Sequence, residues 1–72
     1  MKNYDWFTLD SLTINDFPVG TQLNALRTKH QNTKLIGVVT VLEYYPKFIL
    51  IQHKNYRECY LYGSNDLIFS QI

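Results

Sequence analysis

Residues 34–69 carry the hydrophobic pattern of consecutive β-strands. The apolar segments are 34–45, 48–53, 58–62 and 67–69. They are rich in β-branched and aromatic residues, which favour strands. Polar or turn-forming residues at 46–47, 54–57 and 63–66 separate them. The pattern predicts an antiparallel meander joined by short turns.

Two of these predicted strands are apolar on both faces. In the longer one, Leu35, Val39 and Val41 fall on one face, and Ile36, Val38 and Leu42 fall on the other. Residues 48–51 are apolar throughout. A strand with one solvated face alternates apolar and polar residues, so we expect the second face to be covered. The N-terminal segment with Trp6 and Phe7, or a second protein chain, would cover it.

The first part of the chain is less regular. Residues 1–16 predict an apolar N-terminal arm, and residues 17–72 predict one small β-domain. Pro18 and Gly20 oppose a helix at the boundary. Period-2 spacing of Leu23 and Ala25 favours a strand over 20–31. The alternative is an α+β fold, with a helix over 21–31 on a three-stranded antiparallel meander.

The order of predicted elements resembles small barrels of the SH3, Tudor and KOW kind. The stretches that carry the resemblance are FPVGTQLNAL, GVVTVLE, FILI, CYLY and NDLIF, within residues 17–70. The resemblance implies an all-β, five-stranded SH3-like barrel with the arm outside it. Barrels of this kind bind peptides, methylated side chains or nucleic acid, and a few are enzymes, so the fold leaves the function open.

Length and composition indicate how the chain would be stabilised and in which compartment it would fold. A chain of 72 residues buries only about 60% of its unfolded surface, so a partner would help to stabilise it. The single Cys59 cannot form an internal disulfide and suits a reducing compartment. The first residues lack the apolar region of a signal peptide, and no run is long enough to span a membrane. We therefore expect a cytoplasmic protein that does not enter membranes.

The sequence offers little for catalysis or metal binding. His30, His53 and Cys59 are too few for a closed zinc site, and the carboxylates are scattered along the chain. Cys59 alternates with Tyr60 and shares its phase with Leu61, which predicts a buried structural thiol. We expect no enzymatic activity, no metal and no cofactor.

Binding remains, and the tyrosines are the first candidates for it. With Cys59 and Leu61 inward, Tyr60 and Tyr62 would face outward. The predicted protein-binding residues are Tyr45, Tyr56, Arg57, Tyr60 and Tyr62. Tyrosine is enriched at protein interfaces. The prediction is a non-enzymatic protein-binding module, with self-association as one form of it.

The alternative is a nucleic-acid-binding SH3-like domain that combines basic loops with exposed tyrosines. Its predicted contact residues are Arg27, Lys29, Lys34, Lys54 and Arg57. The net charge of only +1 opposes strong nonspecific binding to nucleic acid. A short chain rich in Asn, Ile, Lys and Tyr is typical of AT-rich microbial, phage or plasmid genomes. This composition suggests an accessory or inhibitor protein.

Overall fold

The computed structural model describes residues 6–29, 32–64 and 66–72, without the side chains of residues 29, 32 and 33. The described residues form one open sheet of six antiparallel strands. The strands are β1 (Phe7–Thr8), β2 (Gln22–Lys29), β3 (Asn32–Tyr44), β4 (Phe48–Gln52), β5 (Arg57–Leu61) and β6 (Leu67–Gln71). Their spatial order is β1-β6-β2-β3-β4-β5.

The all-β prediction is confirmed, and the helical alternative over 21–31 is wrong for the described residues. β2 pairs with β3 on one side and with β6 on the other. Alternate residues Leu23 and Ala25 are fully buried, as the period-2 reading requires. The predicted count of five strands is also wrong, because the N-terminal arm contributes β1 as a sixth strand beside β6.

A bulge near Gly37 changes the phase of β3. Ala25 lies opposite Gly37, but the next residue of β2 lies opposite Leu35, so Ile36 is an extra residue. Gly37 has φ 108°, a conformation that glycine adopts without the penalty of a side chain. Ile36 consequently packs against the core, and Leu35 is 71% exposed.

The phase change corrects one prediction. Leu35 does not share a face with Val39 and Val41, which are both fully buried. Instead Leu35 points away from the core, as does Val38, which is half-exposed. A second register shift, between Val41 and Glu43, leaves Leu42 as an extra residue of β3 with no partner in β4. A strict period of 2 cannot be carried through two bulges.

The N-terminal arm enters the core instead of covering the second face. Leu9, in a 3₁₀ turn at Leu9–Ser11, and Leu12 belong to the same buried cluster as the sheet residues. The ring of Phe7 stacks on Phe17 with centroids 4.9 Å apart and on Phe69 at 6.2 Å. Residues 1–5 of the arm lie outside the described residues.

Tyr44 ties the arm to the sheet. Its hydroxyl lies within hydrogen-bonding distance of the Phe17 carbonyl at 2.5 Å and of the Thr13 carbonyl at 3.1 Å, so one proton serves two acceptors. Burial, and then the nearby Tyr62 and Asp16, raise the pKa of Tyr44 to about 12. The hydroxyl therefore keeps its proton at neutral pH and remains a donor to the arm.

Candidate functional site

The predicted orientation of β5 is wrong. Tyr60 is only 4% exposed, whereas Leu61 is 63% exposed and Cys59 lies at the surface. The β4–β5 pairing explains the reversal, because Tyr60 lies opposite the fully buried Ile49. Residues opposite each other in an antiparallel pair share a face. Cys59 is thus exposed on the outer face.

The predicted protein-binding residues do not form one surface. Tyr45 and Tyr56 are exposed, but they lie in the turns at opposite ends of β4. Arg57 is exposed beside Tyr56, and Tyr62 is half-buried and packs against the core. Burial raises the pKa of Tyr62. With Tyr60 buried, only Tyr56 and Arg57 stay together as surface neighbours.

A polar chain of His53, Tyr60 and Glu58 lies on the inner face at the β4–β5 turn, with His53 and Tyr60 buried and Glu58 exposed. The Nε2 atom of His53 lies 2.7 Å from the Tyr60 hydroxyl. That hydroxyl donates to the Glu58 carboxylate at 3.0 Å. Because the Tyr60 proton points to Glu58, His53 must donate its own Nε2 proton to the Tyr60 oxygen. The Tyr60 hydroxyl is thereby satisfied on both sides.

This assignment leaves the other nitrogen of His53 without a hydrogen. Nδ1 is buried and has no hydrogen-bond partner among the described residues. Burial lowers the pKa of His53, and Arg27 adds to this while Glu58 opposes it. Burial, and then the hydrogen bond to Glu58, raise the pKa of Tyr60. Both shifts favour a neutral imidazole and a protonated phenol at neutral pH.

Tyr56 lies on the solvent side of the His53–Tyr60–Glu58 polar chain. Its ring stacks on His53 with centroids 4.4 Å apart and planes 11° from parallel. The Gln52 side chain donates to the carbonyls of His53 and Tyr56, each at 2.8 Å. The Nη2 of Arg27 lies 3.4 Å from the Tyr56 hydroxyl. The ring stacking, the Gln52 hydrogen bonds and the Arg27 contact together stabilise the β4–β5 turn. Tyr56 nevertheless remains 48% exposed.

The predicted nucleic-acid-binding residues lie closer together than the tyrosines do. Arg27 and Lys34 are cross-strand partners in β2 and β3. Lys54 and Arg57 flank Tyr56 in sequence, and Tyr56 contacts Arg27. Burial lowers the pKa of Arg27, but the hydroxyls of Tyr60 and Tyr56 outweigh this and raise it. The side chain of Lys29 lies outside the described residues.

An apolar patch crosses the outer face of three strands. Leu26 lies opposite Leu35 in β3 and opposite Ile68 in β6, which makes a row of three apolar residues. Val38 lies one step further along this face, opposite Asn24. Leu35 is 71% and Val38 50% exposed, and Leu26 and Ile68 are partly exposed. We call Leu26, Leu35, Val38 and Ile68 the outer patch.

The structure does not bring Cys59 and His53 together. Cys59 lies on the outer face and His53 is buried on the inner face, so the sheet separates them. Within residues 6–29, 32–64 and 66–72, no group of three or more His, Cys, Asp or Glu side chains is placed to hold a metal ion. His30 lies outside these residues. No helix in them is long and apolar enough to span a membrane.

No family model matches the chain, and searches of curated proteins and of solved structures gave no match.

The neutral His53 predicts a specific pH dependence of stability. The pKa of His53 is ordinarily near 6.5 and is lowered by folding. Below about pH 6.5 the unfolded chain binds a proton that the folded chain resists, so stability falls as pH falls. The slope is at most about 1.4 kcal/mol per pH unit. Urea unfolding at about pH 7.5 and about pH 5.5 measures it.

A histidine variant tests the source of this slope. We expect His53→Gln to lose most of the slope. The prediction fails if wild type is equally stable at both pH values, or if His53→Gln keeps the full slope.

Proposed function

We propose that the chain is a non-enzymatic module that binds a protein partner through the outer patch. The observation that carries this proposal is the exposure of Leu35 and Val38 within one apolar patch that crosses three paired strands. Burying apolar surface contributes about 25 cal/mol per Å². Contiguous apolar patches on monomeric proteins commonly mark interaction sites.

The way the arm packs supports a partner on this face. The arm buries Leu9 and Leu12 in the core, on the opposite side of the sheet from the outer patch. None of the described residues covers Leu35 or Val38 enough to bury them. A second protein is then the occupant that would remove this apolar surface from water.

The side chains of the outer patch suggest the chemistry of the partner. They are apolar, whereas Arg27 and Lys34 alternate with Leu26 and Leu35 and therefore lie on the other face of the sheet. A partner with an apolar contact surface would match the outer patch.

We also propose a biological setting for the protein and a more specific description of its fold. The chain's size and its Asn-, Ile-, Lys- and Tyr-rich composition support an accessory or inhibitor protein of a phage or plasmid. The sheet would curl into an SH3-like barrel. The pairing of β6 with β2, together with the two bulges of β3, supports that curvature.

The experiment is affinity capture from cells of the source with three forms of the protein. They are wild type, the double variant Leu35→Asp with Val38→Asp, and the control Leu61→Asp. Leu61 is a suitable control because it is 63% exposed on β5, outside the outer patch. All three forms are first checked for cooperative unfolding.

We expect wild type and Leu61→Asp to recover the same partner and the double variant to lose it. The partner must also bind wild type when both proteins are purified. Recovery of the same partner by the folded double variant would refute the outer patch as the binding surface.

A further inference from the structure

Tyr56 and the basic residues around it form a second surface, away from the outer patch. We propose that this surface binds single-stranded nucleic acid, with one base stacked on the free face of Tyr56. Phosphates would contact Arg27, Lys34 and Lys54. This activity goes beyond the proposed protein binding and depends on different residues.

The ring of Tyr56 is prepared for stacking. One face is occupied by His53 at 4.4 Å, which leaves the other available to a ligand. The Gln52 hydrogen bond to the Tyr56 carbonyl and the Arg27 contact to its hydroxyl restrict its movement. A base that stacks on a ring already held in place pays less conformational entropy. Stacking on aromatic side chains is sequence-tolerant and is a usual mode of single-strand binding.

The charges around Tyr56 favour an anionic ligand. Arg27 contacts the Tyr56 hydroxyl, Lys34 is the cross-strand partner of Arg27, and Lys54 and Arg57 are close to Tyr56 in sequence. The acidic residues in these segments are Glu58, next to Arg57, and Asp66, whose carbonyl accepts from Thr28. Four positive charges against two negative ones leave a local excess of two. Glu58 is also engaged by the Tyr60 hydroxyl. An acidic peptide would satisfy the charges, but it would leave the aromatic face without a matching base.

The β3–β4 turn provides a matched control. Tyr45 stacks on Phe48 with centroids 4.8 Å apart and planes 14° from parallel. It is 39% exposed, close to the 48% of Tyr56. Only Lys47 lies beside it in the turn. The two turns thus present similar stacked rings that differ in the charge around them.

The experiment is fluorescence anisotropy with a labelled thymidine oligonucleotide of about eight nucleotides and a duplex of the same length. We expect the single strand to bind at about 20 mM salt, with a log–log salt slope of about −2 to −3 for three or four phosphate contacts. Tyr56→Ala should weaken binding by about ten-fold or more, and Tyr56→Trp should retain it. Tyr45→Ala should change it by less than about two-fold.

Further variants and ligands make each outcome decisive. Arg27→Gln should make the salt slope shallower by about 0.7. Thermal unfolding confirms that each variant is folded, and Tyr56→Trp preserves a ring on His53 if Tyr56→Ala does not fold. No binding at low salt overturns the proposal. An equal loss of affinity in Tyr56→Ala and Tyr45→Ala also overturns it. So does equal affinity for duplex and single strand that Tyr56→Ala does not change. Tighter binding of a poly-glutamate peptide than of the oligonucleotide overturns it as well.

Discussion

Leu9→Ala is expected to destabilise the protein by about 2–5 kcal/mol. Leu9 is fully buried in the arm and belongs to the cluster that includes Leu23, Val39 and Phe69. Replacing it removes apolar contacts and leaves a cavity at the centre of the molecule. A chain of 72 residues rarely draws more than about 3–5 kcal/mol from one core. The variant should therefore be largely unfolded at room temperature.

Ile14→Ala is the control for this prediction. Ile14 lies in the same segment but is 55% exposed, so its loss should change stability by less than about 0.5 kcal/mol. Urea unfolding followed by circular dichroism gives both values. If Leu9→Ala unfolds at the wild-type urea concentration, the arm is not part of the core.

Tyr60→Phe is expected to cost about 1–3 kcal/mol, although it keeps the aromatic ring. The change removes the hydroxyl that accepts from His53 and donates to Glu58. The buried imidazole then loses the partner of Nε2, while Nδ1 already has none among the described residues. A buried polar group without a partner retains its full desolvation cost.

Tyr45→Phe is the matched control, because Tyr45 lies at the surface and its ring stacks on Phe48. It should change stability by less than about 0.5 kcal/mol. Chemical denaturation of both variants decides the matter, and equal midpoints for Tyr60→Phe and wild type would show that the His53–Tyr60–Glu58 chain contributes nothing to stability. Tyr60 is accordingly unsuitable as a surface probe, since its truncation tests folding as well as binding.

The strand content of the chain could be predicted from the sequence, because β-branched runs and polar turns coincide with β3, β4 and β5. The choice of strand over helix at β2 also followed from the spacing of Leu23 and Ala25. The sixth strand could not be predicted, since the two residues Phe7 and Thr8 become a strand only by pairing with β6. So short a segment has no periodicity of its own.

The faces of β5 were mispredicted for a physical reason. Ranking by hydrophobicity places Cys59 and Leu61 inside, but the register of the hairpin places Tyr60 opposite Ile49. Residues 48–51 are apolar on both faces, so the sequence does not reveal which isoleucines point inward. Tyr60 tolerates burial because His53 and Glu58 satisfy its hydroxyl. Glu58 and Tyr60 are two residues apart in β5 and therefore share one face of the strand. This spacing was the one sequence signal that their side chains could interact.

The outer patch could be anticipated only in part. The sequence indicates that β3 is apolar on both faces and that something should cover the second one. It does not indicate that the bulge at Gly37 brings Leu35 and Val38 to the same side. It also cannot show that the arm packs into the core, because that depends on the stacking of Phe7 with Phe17 and Phe69.

The dissociation constant of the purified complex tests the central claim most directly. Isothermal titration calorimetry would compare wild type, the Leu35→Asp and Val38→Asp double variant, and Leu61→Asp against the captured partner. Binding through the outer patch predicts that the double variant binds about ten-fold more weakly or worse, and that Leu61→Asp stays within about two-fold of wild type. An unchanged dissociation constant for the folded double variant would contradict the account.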